Sequence, residues 1–148
     1  MNNKEVIVNQ VEEKTRNVVL NGGIVHANVH HHEVLDKNVF RDQKFDILVS
    51  IFCLEGACST YDEYVKAFNN IILLIRPGGC LILGSVIEDT TYNSGITKIG
   101  NPKIFSVLYL SEKQIFNCIE ATGLFDMSTI RKYSLESVMF LMVVKKGL

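Results

Sequence analysis

Residues 45–52, "FDILVSIF", are apolar at every position except Asp46 and Ser50. Such a run cannot present one face to water by alternation. It fits a strand of a parallel sheet covered by helices on both faces. The residues behind it support this reading. Ser59 or Thr60, followed by Asp62 and Glu63, is a helix N-cap signal, and Tyr64, Ala67, Phe68, Ile71, Leu74 and Ile75 keep helical spacing up to "RPGG". Pro77 and Gly78 stop the helix there, and "CLILGSVI", residues 80–87, reads as a second buried strand.

Around this strand-helix-strand unit the pattern is less uniform. Residues 5–19 mix charges with Val6, Ile7 and Val11 and predict a helix ended by Asn21, Gly22 and Gly23. Residues 24–29, "IVHANV", are short and β-branched and read as a strand, with a polar loop behind them. After a polar, glycine-containing loop over 88–102, Ser111 caps a helix that carries Ile115, Phe116 and Ile119 and ends at Gly123. Residues 125–134 and 137–146 predict two closely connected strands that pair antiparallel. The order β, β-α, β-α, β-β belongs to an open α/β sheet with an antiparallel edge. At 148 residues, 47% of them apolar, the chain fits one domain over 1–148.

Several function classes drop out. The net charge is -1 and Lys and Arg are scattered, so there is no basic stripe for nucleic acid. Residues 47–54 and 71–75, the longest apolar runs, are too short to span a membrane, and residues 1–10 lack the apolar core of a signal peptide. A soluble, cytoplasmic protein with no membrane partner is the expectation. Cys53, Cys58, Cys80 and Cys118 lack the spacing of zinc pairs and read as reduced thiols packed as small hydrophobes. The run from His30 to Glu33, with His26 nearby, reads as an exposed loop, and no metal site is expected there. No local nucleophile motif is present.

In open α/β sheets, ligands bind beyond the carboxyl ends of the strands, which here places Asn28, Val29, residues 50–56 and residues 85–89 at a site. Three blocks in this region and after it, "FDILVSIFCLEGAC", "NIILLIRPGGCLILGSVIEDTTY" and "FSVLYLSEKQIFNCIEATG", stand in order before a terminal strand ending "VVKKGL". Together they resemble the nicotinamide, phenylethanolamine, indolethylamine and thioether S-adenosylmethionine methyltransferase family, from about residue 11 to the end, with one insertion around residues 98–102.

The resemblance implies a Rossmann-like class I methyltransferase sheet, S-adenosyl-L-methionine as cofactor and a small amine as substrate. Asn28 and Val29 match the Asp-Val pair that holds the adenine ring, with Asn bringing no charge. Ser50, Ile51 and Gly56 belong to the cofactor turn, although relatives commonly carry a polar residue at the position of Ile51. Glu55 and Glu88 match carboxylates facing the amine, and Tyr92 matches a substrate-pocket tyrosine. Ser85 stands where nicotinamide-methylating members carry an aspartate, which argues against nicotinamide. The chemistry suits these residue types. Methyl transfer from a sulfonium to a neutral amine moves positive charge onto nitrogen, so holding the pair at attack distance and placing carboxylates nearby suffices.

Family members also carry a helical lid, a glycine-rich turn after the first strand, and an acidic residue after the second, none of which this sequence shows. "NGG" at residues 21–23 precedes a strand and is the wrong context for a cofactor turn. The expectation is therefore a C-terminal methyltransferase portion lacking the first two strands, inactive in isolation, with residues 45–52 bared for self-association. The alternative is a non-catalytic remnant that acts as a folding or interaction partner.

Overall fold

The computed structural model describes residues 8–36, 38, 44–93, 95 and 103–147. Residues 5–7 of the expected first helix and the insertion around 98–102 lie outside the described residues. The elements are α1 (Val8–Gly22), β1 (Phe45–Ile51), α2 (Leu54–Ala57), α3 (Tyr61–Ile72), β2 (Ile75–Val86), β3 (Thr91–Asn93), β4 (Ile104–Ser106), α4 (Glu112–Ala121), β5 (Phe125–Leu135) and β6 (Val138–Lys145).

Four strands form one sheet in the order β1-β2-β6-β5. β1 runs parallel to β2, with Ile47 opposite Cys80 and Ile51 opposite Gly84, and β6 and β5 add as an antiparallel hairpin. This is the expected open sheet with an antiparallel edge. Its parallel pair is joined through α2 and α3. α3 buries Tyr64, Ala67, Phe68, Ile71 and Ile72, one stripe at helical spacing. Thr60 caps it by accepting from the Glu63 N–H, while the Glu63 carboxylate accepts from the Ser59 N–H. α4 starts at a full capping box between Ser111 and Gln114. Leu110 and Ile115, on either side of that cap, are both fully buried. These helices pack on Leu81 and Leu83 of β2 and on Met139, Leu141 and Val143 of β6. Each large apolar side chain fully buried in this layer stabilises the fold by about 1.5–3 kcal/mol.

Four expectations are corrected. First, α3 ends at Ile72, and Ile75 already pairs with Phe45 in β2. "RPGG" therefore lies inside β2 as an irregularity rather than between helix and strand: two steps on β1, from Phe45 to Ile47, face five on β2, from Ile75 to Cys80. Second, residues 24–29 form no strand. Their backbone folds back on itself, pairing Ala27 with Leu35 and donating from the Asn28 N–H to the Val34 carbonyl. The Asn28 side chain closes that turn by accepting from the His30 N–H, so local hydrogen bonds replace a ladder. Third, the loop expected over 88–102 contains a short strand, β3, which pairs antiparallel with β4 just beyond that loop, Tyr92 standing opposite Phe105.

The fourth correction concerns covering. The helices of the core lie on one face of the sheet, and among the described residues no element covers the other. Ile47 and Val49 of β1 are 57% and 58% exposed. Gly84 sits in this second face because a Cβ there would come within 2.7 Å of the Phe140 ring and 2.9 Å of Ile51 Cδ1. α1 is likewise exposed from Gln10 onward, including Val11, Val18 and Val19. The four cysteines are free, with Cys58 and Cys118 buried as expected of small hydrophobes and Cys53 exposed. No helix is long and apolar enough to cross a membrane among the described residues.

Candidate active site

The parallel pair β1-β2 ends at a short helical turn, α2, and this turn organises the site. Phe52 leaves β1 at φ 51°, a left-handed conformation that costs a non-glycine residue, while its N–H stays bonded to the Gly84 carbonyl. The turn brings Glu55 over the end of β2. Glu55 is 1% exposed, and its Oε1 accepts from the Val86 N–H at 2.7 Å. Its main-chain carbonyl accepts from the Leu108 N–H at 2.8 Å. One residue thus ties together the ends of β1 and β2 and the chain leaving β4.

Glu55 Oε2 has no hydrogen-bond partner although it is buried. An uncompensated buried carboxylate oxygen is expensive, and such groups point to a role outside the fold. Burial lifts the Glu55 carboxyl above its usual range; the N–H groups of Val86 and of Glu55 itself, with the Ser85 hydroxyl, pull the other way. The nearby Tyr64 hydroxyl is also buried without a partner, and burial pushes its pKa well up.

Beside Glu55 lies a cavity of about 310 Å³ lined by Phe52, Gly56, Val86, Tyr92, Phe105, Ser106 and Val107. Its walls are aromatic. The Phe52 and Tyr92 rings stack with centroids 5.9 Å apart and planes 28° apart, and Phe105 follows Tyr92 at 6.4 Å and 30°. On the other side of the same strand ends, a groove of about 350 Å³ runs between β1 and residues 25–35, lined by apolar side chains that include Val29 and Leu48, with Ser50 and Cys53 at its end. The Nε2–H of His30 donates to the Ala57 carbonyl at 2.9 Å, and Asn70 donates to the Val29 carbonyl at 2.9 Å. Those two bonds hold residues 28–30 against α2 and α3. The histidine run is therefore tied down at its first member.

The residues singled out from sequence fall into groups. Gly56 and Tyr92 line the aromatic cavity, Glu55 lies buried behind it, bonded to the lining residue Val86, and Val29 and Ser50 meet at the apolar groove. Asn28 is not among the residues lining that groove: it faces a separate pocket with His26, His31 and Asp36 and spends its side-chain oxygen on the His30 turn. A Cβ on Gly56 would meet nothing within 4 Å, so the fold itself does not require glycine there. Ile51 is on the second face of the sheet, beside Phe140. Ser85 is fully buried and donates to the Val86 carbonyl at 3.3 Å. Glu88 is exposed at φ 56°, its N–H bonded to the Leu110 carbonyl. Phe105 and Val107 line the cavity but carried no role in the sequence reading, and Phe52 entered it only within residues 50–56. The β-branched and aromatic residues of "TTY" and "IFSV" were the available signal for the hairpin that supplies Phe105. Among the described residues, no three His, Cys, Asp or Glu side chains gather as a metal site would require.

A family model described as the NNMT/PNMT/TEMT family matches residues 1–147. A nicotinamide N-methyltransferase of Caenorhabditis elegans is 30% identical over 145 residues, covering 93% of this chain and 50% of that protein. A phenylethanolamine N-methyltransferase of Mus musculus is 31% identical over 88 residues, 60% of this chain and 28% of that protein. The chain thus spans half or less of the length of these relatives. Among solved structures, an S-adenosylmethionine-dependent methyltransferase from Clostridium acetobutylicum superposes with a TM-score of 0.58 over 95% of this chain and 72% of that one, at 12% identity. An O-methyltransferase family protein from Burkholderia thailandensis gives 0.55 over 94% and 41%, at 16% identity. Identities this low speak for the fold alone, which is that of the class I methyltransferase sheet.

Proposed function

Because the chain belongs to the NNMT/PNMT/TEMT family, we propose that it forms the amine side and the adenine side of an S-adenosylmethionine-dependent N-methyltransferase site. The observation that carries this reading is the buried Glu55 carboxylate, with one oxygen unpartnered, between two residues of an aromatic-lined cavity at the strand ends. An amine seated in that cavity gains a charge-matched acceptor in Glu55 as its nitrogen becomes cationic. The Val86 N–H fixes the other oxygen, so the acceptor is oriented before the amine arrives. Phe52 and Tyr92 hold the apolar part of the substrate, and Glu88 supplies a second carboxylate from the adjoining loop.

The groove between Val29 and Ser50 suits the adenine ring because its walls are apolar, and Asn28, which precedes Val29 in the chain, carries amide donors. Ile51 and Gly56 complete the turn. When bound, the cofactor supplies an electrophilic methyl group on sulfur. Among the described residues lining the groove and the cavity, none is a Lys or Arg that would receive the cofactor's carboxylate. The substrate class is a small aryl-alkyl or pyridine-type amine, and Ser85 favours the aryl-alkyl type.

The test is transfer of labelled methyl from S-adenosylmethionine to 2-phenylethylamine by the chain joined to the N-terminal half of a family relative. Glu55→Gln and Glu88→Gln should each lower kcat/KM by about tenfold or more, as expected if a bond to a charged group worth about 1.5–3 kcal/mol is lost. Unchanged kinetics in both variants would sink the assignment. A second reading, a non-catalytic chain that acts as a folding or interaction partner through the edge of β1, is favoured by the exposed Ile47 and Val49. It predicts no turnover and a concentration-dependent mass in sedimentation.

A further inference from the structure

The β3-β4 hairpin does nothing for the core. All six of its residues are exposed, Ile104 to 70% and Phe105 to 50%. Two strands of three residues with no buried face lack independent stability, so the pairing has to be explained by what it presents. It presents a cross-strand aromatic pair. Tyr92 and Phe105 stand directly opposite in register and both line the cavity.

With Phe52 they form a row of three rings, at centroid spacings of 5.9 Å and 6.4 Å and successive tilts of 28° and 30°. Phe52 is fixed at the inner end of this row by its contact with Phe140, at 5.8 Å and edge-on, and by its strained backbone. Tyr92 is fixed in turn by Phe52. The outermost ring, Phe105, is half-exposed and lies outside the buried core. Resting on the amine-methylating reading above, we infer that Phe105 is a specificity-determining residue that selects substrates with a flat aromatic ring over saturated ones of the same size. A flat ring continues the row by offset stacking, whereas a puckered ring fills the same volume without that geometry.

The experiment compares binding of 2-phenylethylamine and 2-cyclohexylethylamine to the full chain by calorimetry, in wild type and in Phe105→Leu and Phe105→Tyr. Wild type and Phe105→Tyr should prefer the aromatic amine, and Phe105→Leu should lose about two- to tenfold of that preference. The substitution is half-exposed, so an unchanged circular dichroism melt is expected in both variants. Equal affinities in wild type, failure of wild type to bind either amine, or an unchanged preference in Phe105→Leu would overturn the inference. The two readings fail separately. Ring preference dependent on Phe105 without methyl transfer would remove the enzymatic reading and keep the slot, while methyl transfer with a preference indifferent to Phe105 would do the reverse.

Discussion

Replacing Glu55 by Gln removes one titrating group and keeps the side chain's shape. Burial raises the folded-state pKa of Glu55 above its ordinary value of 4.5, so the folded chain holds a proton that the unfolded chain releases. The sign follows directly. The stability contributed by this group is fully present below about pH 4.5 and is lost as pH rises through the raised folded value. The Gln variant has no such loss, so wild-type stability minus variant stability should fall with rising pH across that window. A single proton limits the slope to about 1.4 kcal/mol per pH unit. Asp89 and Asp126, whose carboxyls are held below the usual range by hydrogen bonds from Thr91 and Ser128, are common to both proteins and cancel in the difference. Glu55→Ala is a separate perturbation. It leaves the buried Val86 N–H without an acceptor, which costs about 1–3 kcal/mol. Urea denaturation followed by circular dichroism between pH 4 and pH 8 reads both effects. A wild-type-minus-Gln difference that stays flat or rises with pH would refute the reasoning.

Gly84→Ala drives a methyl group to within 2.7 Å of Phe140 Cε1 and should destabilise the chain by about 1–3 kcal/mol in urea; a change below about 0.5 kcal/mol would mean that the ring swings aside freely. Ser111→Ala removes the cap of α4 and should cost about 0.5–2 kcal/mol in the same assay, with an unaltered m-value. His31→Ala and His32→Ala should leave the melting temperature where it is, with or without zinc. His30→Ala should lower stability by up to about 1 kcal/mol because it loses the bond to the Ala57 carbonyl, and a zinc-dependent shift abolished by these changes would overturn that account.

Elements whose character is set locally were legible in the sequence. The caps at Thr60 and Ser111, the stripe from Tyr64 to Ile71 and the terminator Gly123 (φ 66°) each follow from residues within a few positions of one another. The parallel pairing of residues 45–52 with 80–87 was legible as well, but the uniform apolar run points to a central strand covered on both faces, whereas β1 stands at the edge of the sheet beside β2 alone. What failed depended on distant partners. Residues 24–29 have strand composition, yet the turn closed by Asn28 satisfies their backbone more cheaply than a ladder with no neighbour in reach. β2 absorbed "RPGG" because pairing with Phe45 recruits Ile75 into the strand. Of the site, the position of Glu55 could be read from strand order alone. Its burial and its orphaned oxygen could not, since they arise from Val86 and Leu108, 31 and 53 positions further along. The aromatic row was hidden for the same reason: Phe52 and Phe105 meet only through Tyr92.

The most direct test of the central claim is a titration of the isotope-labelled chain with S-adenosylmethionine, read residue by residue as amide shifts in heteronuclear NMR. The residues gathered here reach the adenine side alone, so affinity should be weak, on the order of millimolar, which this measurement tolerates. Shifts concentrated at Asn28, Val29, Ser50, Ile51 and Gly56, with the β5-β6 hairpin unmoved, are the predicted result. No shifts at tens of millimolar, or shifts clustered away from the ends of β1 and β2, would contradict the assignment of this site to a methyl donor.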